Sequence, residues 1–372
     1  ATNTTSGPIF LFNTAPTLIV TGVTQSASGN VNLQNVGILA TTVLLAANGG
    51  GDLELQGSGG IQLGANLTAV VGGNIILTDP VTLTVPLVTV ATGTTGGIAF
   101  ESSVIGGGNA LIANAGGNTV FTGTVTGLST LTTDAGGTTQ INGGTVSTSG
   151  AQLYNDNVTF GNGATTTLTG TLVTFNGTVS GGSTSGLGVT GNAVFGDATT
   201  DSVTGLTALT VSGTTAINTN TITTSGLQTY TGPVTLGTGV NTMLTSTGNP
   251  ITFSNTVNGA GALTVTTGGQ TTFTLAVGGL TPLVSLTTNG GGSTAVNGGS
   301  VTTTSGQTFS DAVTYPVNTI FNAGAGTLTF GSTVTPTVGG LTLNLTADEM
   351  VFSGGAASIK ANNGITLQSS TA

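Results

Sequence analysis

No cysteine, histidine or tryptophan occurs in the chain, and lysine and arginine together contribute one residue, Lys360. Only 3% of the residues are charged, against about a quarter in an ordinary globular domain. Each absence excludes a class of function. Without cysteine there is neither a disulfide nor thiol chemistry. Without histidine or arginine, general acid–base catalysis has almost no candidates. A single cation cannot neutralise a phosphate backbone, so no nucleic-acid partner is expected. The same shortage rules out a polybasic membrane patch. No apolar run approaches the length of a membrane-spanning helix, so no membrane insertion is expected. The chain opens at Ala1 without a basic segment and apolar core, and so reads as a mature or excised product.

What is present points to strands. Glycine supplies 65 of 372 residues, and mean hydropathy is +0.39. Disordered chains combine low hydrophobicity with high net charge. Here the net charge of −10 is spread thinly, and the apolar residues are Val, Leu, Ile and Phe set beside Thr. Those are the residues of a pleated, half-buried surface. No apolar stripe of helical period is found.

Internal repetition carries the architecture. Residues 138–161, 214–237 and 293–316 share one frame: an Ile/Val-Asn pair, a Thr-Ser-Gly, a Gln, an aromatic and a Val-Thr-apolar triplet. The aromatics are Tyr154, Tyr230 and Phe309. The triplets begin at Val158, Val234 and Val313, with a weaker copy at Val81, and their spacing is nearly constant. A second marker, apolar-x-Phe, ends at Phe100, Phe175, Phe253 and Phe330 and keeps step with the first. A third comprises Phe121, Phe195, Phe273 and Phe352. The three markers agree on a tandem repeat with a period of roughly 77 residues, within which shorter units are to be sought. Short strand-like runs separated by Gly, Asn or Ser-Gly subdivide each repeat.

These features predict an all-β fold, a right-handed parallel β-helix, with about four coils per long repeat and about 19 coils in all at the usual strand spacing. Stacked coils bury inward Val, Leu, Ile and Phe that no single coil could cover. Uncharged outward Thr and Ser avoid columns of like charge. The expected organisation is one elongated solenoid: divergent coils over 1–75, four long repeats over 76–360 and a C-terminal strand over 361–372.

The frame Thr-Ser-Gly-x-Gln-x-Tyr, the segment Pro233-Val234-Thr235-Leu236-Gly237, and residues 251–269 and 276–309 resemble the β-strand repeats of large bacterial surface proteins of the filamentous-haemagglutinin type. The resemblance covers roughly residues 75 to 360. It implies secretion, a β-solenoid, and a role in adhesion, biofilm or cell-surface structure. No secretion domain, membrane barrel or sorting signal is recognisable in the sequence.

Both ends of the sequence are apolar strand-like runs: Ile9-Phe10-Leu11-Phe12, and Ile365-Thr366-Leu367. Open strand edges are templates for another chain, and head-to-tail contact builds an open filament. The expected assembly residues are Ile9, Phe10, Leu11, Phe12, Ile365 and Leu367. The expected partner is the chain itself, with cell-surface or extracellular-matrix components beyond it. A stalk segment of a longer adhesin is the alternative.

Other chemistries fare worse. The eleven acids stand mostly alone near turns, and the local groups Asp52/Glu54, Asp197/Asp201 and Asp348/Glu349 fall short of the carboxylates calcium needs among its about six to eight oxygens. No catalytic, metal or cofactor residue is therefore assigned. Lys360 could pair with Asp348 or Glu349, or cross-link to an Asn or Asp; a free surface side chain is the simpler expectation. The recurrent aromatics read as core rather than a sugar-binding stripe. Ice binding through outward Thr arrays is a remote alternative, because coils of varying length should carry Thr columns out of line.

Overall fold

The computed structural model describes residues 1–370; the last two positions of the expected C-terminal strand, 371 and 372, lie outside the described residues. Strands, turns and bends make up the chain, with no helix among the described residues. The chain divides into two compact units, Ala1–Ser185 and Gly186–Ala372. Each is a parallel β-solenoid, with coils about 21 residues apart and about 17 turns counted over both.

In the first unit, Ile9–Asn13 pairs with Val31–Asn35, that strand with Leu53–Gly57, and that one with Ile75–Leu77. Alternation of period two explains the geometry. Val31, Leu33, Leu53, Leu55, Ile75 and Leu77 point inward and are wholly buried, while Asn32, Gln34, Glu54 and Gln56 between them face out. Most strands are short, and many follow the same in-out-in pattern as Val81-Thr82-Leu83. Each buried aliphatic or aromatic side chain stabilises the stack by about 1.5–3 kcal/mol.

Corners complete the coil. Asn30 Oδ1 accepts the Asp52 N–H at 3.1 Å, Asp52 Oδ1 accepts the Asn74 N–H at 2.8 Å, and Asn74 Oδ1 accepts the Gly97 N–H at 2.9 Å. One side-chain oxygen per coil thus satisfies a backbone donor in the next at an exposed corner. Close approach of stacked corners explains much of the glycine: a Cβ on Gly326 would lie 1.5 Å from the Ser305 carbonyl oxygen.

The long repeat does not contain a whole number of coils. In the second unit, Phe253 belongs to the ladder Tyr230–Phe253–Phe273, whereas Phe330, its counterpart one long repeat later, belongs to a different ladder with Phe309 and Phe352. In the first unit, Phe100 ladders with Phe121 and Phe175 with Tyr154. Each repeat therefore spans about three and two-thirds coils of about 21 residues, rather than four. Copies within one unit thus present the same motif on different faces. Each copy builds its own aromatic stack: ring centroids are 5.1 Å apart for Phe100–Phe121, 5.4 Å for Tyr154–Phe175, 5.3 Å for Tyr230–Phe253 and 5.3 Å for Phe309–Phe330. Offset or near-parallel ring pairs add about 0.5–1.5 kcal/mol beyond area burial.

Candidate functional site

The apolar strand near the start of the chain has two distinct sides. Ile9 and Leu11 are in register with the buried Val31 and Leu33, so they point along the interior of the first unit. Phe10 and Phe12 alternate with them and face outward, at 63% and 57% exposure. Among the described residues this strand pairs only with Val31–Asn35. Near the other end, Ile365 and Leu367 continue the inward column of Leu343 and Leu345 in the second unit. Leu343 and Leu345 are wholly buried, but Ile365 and Leu367 are 42% and 57% exposed. That strand, too, has one paired edge among the described residues. Four of the six residues singled out from sequence are thus uncovered ends of core columns, and the two phenylalanines lie on an outer face.

The recurrent Gln-x-aromatic motif is interior. Gln152 Nε2 donates to the carbonyls of Val146 (3.2 Å) and Thr169 (2.9 Å), and Tyr154 Oη donates to Gln152 Oε1 at 2.9 Å. Gln228 repeats the arrangement with the carbonyls of Ile222 (3.3 Å) and Thr245 (2.9 Å), and with Tyr230. Gln307 repeats the donor half with Val301 and Asn322. Burial pushes both phenols up from their ordinary ionisation range. All three aromatics are fully buried, so none is available to stack on a sugar.

The acids act largely as corner acceptors. Asp134 accepts the Ala115 N–H, Asp311 the Gly291 N–H, Asp79 the Gly57 N–H, and Asp201 the N–H groups of Asp197 and Ala198. No group of three or more His, Cys, Asp or Glu side chains that could hold a metal ion occurs among the described residues. The Lys360 side chain is exposed, and its carbonyl accepts the Tyr315 hydroxyl at 2.6 Å.

Asp156 is different, and no sequence pattern distinguished it from the turn acids. It is 4% exposed. Thr133 donates to its Oδ1 at 3.0 Å, and Thr139 reaches Oδ1 and Oδ2 at 2.8 and 2.9 Å. Desolvation pushes its pKa up to about 6; the two threonine hydrogen bonds oppose the shift, and Asp134 adds to it.

The outward threonines hold their line where drift was expected. In the second unit Thr264, Thr287, Thr308 and Thr329 are successive partners, as are Thr210, Thr229, Thr252 and Thr272 on another ladder. Strand register is set by the inward columns, because a one-residue slip would turn the core outward. Differences in coil length are absorbed at the corners.

No protein-family model, curated protein or solved structure matches this chain.

Proposed function

We propose that the chain is a non-enzymatic structural subunit of an extracellular bacterial fibre, which grows when the end coil of one copy pairs with the end coil of the next. The observation that carries this reading is the pair of uncovered core columns. Ile9/Leu11 and Ile365/Leu367 share the inward aliphatic-x-Leu pattern of the buried rungs Leu53/Leu55 and Ile75/Leu77, yet each has a partner on one side alone among the described residues. A further parallel strand on either edge would bury apolar surface and satisfy a row of backbone donors and acceptors. The near absence of charge supports the reading, since stacked coils repel little. The engagement of the acids in corner hydrogen bonds favours a structural over a catalytic role. The resemblance to surface-protein repeats supports secretion and a part in attachment or biofilm.

Electron microscopy and sedimentation of the purified chain test this, alongside Leu11→Lys and Leu367→Lys. Fibres from the parent chain, reduced to monomers by either lysine, are expected. A monodisperse parent chain at high concentration overturns fibre growth. If the same strands are then found continued within one longer polypeptide at the cell surface, the chain is a stalk segment of a large adhesin.

The in-register threonine ladders favour one second reading, binding of an ordered uncharged lattice such as ice. Thermal hysteresis in the monomer, abolished by Thr287→Lys, would support it; its absence removes it.

A further inference from the structure

Asp156 and Asp311 hold the same place in the long repeat, two positions after the aromatic at 154 or 309. Thr133 and Thr139 correspond in the same frame to Thr288 and Thr294, and Gly136 corresponds to Gly291. Yet the two carboxyl groups turn opposite ways. Asp156 enters the interior and takes hydrogen bonds from both threonines. Asp311 stays at the corner and accepts the Gly291 N–H at 3.0 Å. With Asp311 outside, Thr294 donates directly to Thr288 at 2.8 Å. The interior seat therefore closes on itself when no carboxyl group fills it, and one motif is seen in two arrangements within a single chain.

The neighbouring residue that differs in charge is Asp134, whose counterpart is Asn289. Asp134 accepts the Ala115 N–H at 2.9 Å, and a Cβ on Gly136 would lie 3.2 Å from its Oδ2. Its side chain thus stands beside Gly136, the residue whose amide an outward Asp156 would need. In the other copy the neutral Asn289 accepts the Thr266 hydroxyl at 2.7 Å, and Asp311 remains at the corner. A neighbouring like charge disfavours the ionised form of Asp156. The titratable groups that face Asp156 are Asp134 and Tyr154; Tyr154 is neutral at working pH.

We propose that Asp134 and Asp156 form a pH-sensitive clasp, in which the charge of Asp134 confines the Asp156 carboxyl group to the interior seat between Thr133 and Thr139. The confinement acts on the ionised Asp156, the form that burial disfavours, so the seat is held at greatest cost once that carboxyl group ionises. Removal of the Asp134 charge frees Asp156 to take the outer position on the Gly136 N–H, as Asp311 does on Gly291.

The test is amide hydrogen exchange at Gly136, corrected for intrinsic rate, at pH 5 and pH 7.5. In Asp134→Asn the Gly136 amide should exchange about tenfold more slowly at pH 7.5, a change of one hydrogen bond in local opening. The reciprocal variant, Asn289→Asp, should drive Asp311 inward and expose the Gly291 amide. Unchanged Gly136 exchange in a folded Asp134→Asn chain overturns the proposal. Should that variant not fold, an Asn289→Asp chain whose Gly291 amide stays protected at both pH values overturns it equally.

Discussion

Tyr230 donates its hydroxyl proton to Gln228 Oε1 at 3.0 Å, as Tyr154 does to Gln152. In the third copy Phe309 stands in the tyrosine's place, and Gln307 Oε1 is buried with no hydrogen-bond partner among the described residues. A second change accompanies the first. Leu168 and Leu244 pair with Val146 and Ile222, but Phe321 pairs with Val301. The Phe321 ring meets Phe309 edge-on with centroids 5.1 Å apart. The larger side chain packs against the ring that lacks the hydroxyl.

Phe309→Tyr alone should accordingly destabilise the chain, through crowding against Phe321. Phe321→Leu alone should also destabilise, by leaving a void. The double variant restores the Tyr/Leu pair of the other copies, and its two effects should couple favourably by about 1–2 kcal/mol. Denaturant unfolding of the four chains measures the coupling, and additive effects would show that the two positions do not communicate.

Tyr230→Phe removes a hydroxyl and strands Gln228 Oε1 in the core. The expected loss is about 1–3 kcal/mol, the cost of an unsatisfied buried acceptor. Tyr315→Phe serves as the comparison: its hydroxyl partner is the Lys360 carbonyl near the surface, and water can replace it. Its loss should be the smaller of the two by thermal unfolding.

Stability should depend on acid in an unusual sense. The folded chain holds a proton on Asp156 up to about pH 6, because burial disfavours the carboxylate, while the unfolded carboxyl group releases it near pH 4. Between those values the folded state binds more protons, so this contribution is complete below about pH 4 and is lost as pH rises through 6. Asp156→Asn should flatten the profile. The difference between pH 4 and pH 7 is about 1–2 kcal/mol, less than the whole shift implies because the carboxylate keeps some solvation. A parent chain whose unfolding midpoint is equal at both pH values would contradict this.

Val71 is a β-branched residue with φ of 63° and 75% exposure. The left-handed conformation costs such a side chain about 1–2 kcal/mol, and glycine adopts it freely at a smaller entropic cost. Val71→Gly should stabilise by about 0.5–1 kcal/mol. Gly326→Ala should do the reverse, since its methyl group would overlap the Ser305 carbonyl. Thermal midpoints of the two variants should move in opposite directions.

Much of this architecture was legible in the sequence, and the reasons are physical. Inward Val, Leu and Phe must recur wherever coils stack, so the even spacing of Val158, Val234 and Val313 exposed the repeat. Burial of Tyr154, Tyr230 and Phe309 followed from their fixed place in the frame. The face on which each copy lies was hidden, because the same strand pattern serves every face and the long repeat leaves a remainder of about two-thirds of a coil. The interior seat of Asp156 was hidden too. It depends on Thr133 and Thr139, which lie 23 and 17 residues earlier and look like every other threonine. The expected drift of the threonine columns failed because register is a property of the core, whereas differences in coil length are taken up at corners.

Among the described residues the aromatic column of the last copy runs out at Phe352, 6.2 Å from Phe330 and 39% exposed. Phe253, in the preceding copy, has rings on both sides and no exposure, with centroids 5.3 and 5.1 Å away. Phe253→Ala should cost about 3–5 kcal/mol, the usual loss for a buried ring. Phe352→Ala in an isolated chain should cost far less, about 1 kcal/mol, because much of its surface is already wet. If another coil covers that end, the same substitution should cost more in the assembled state than in the free one, and the excess should appear as a rise in the concentration needed for assembly. Equal effects on unfolding of the free chain and on assembly would mean that nothing stacks on Phe352.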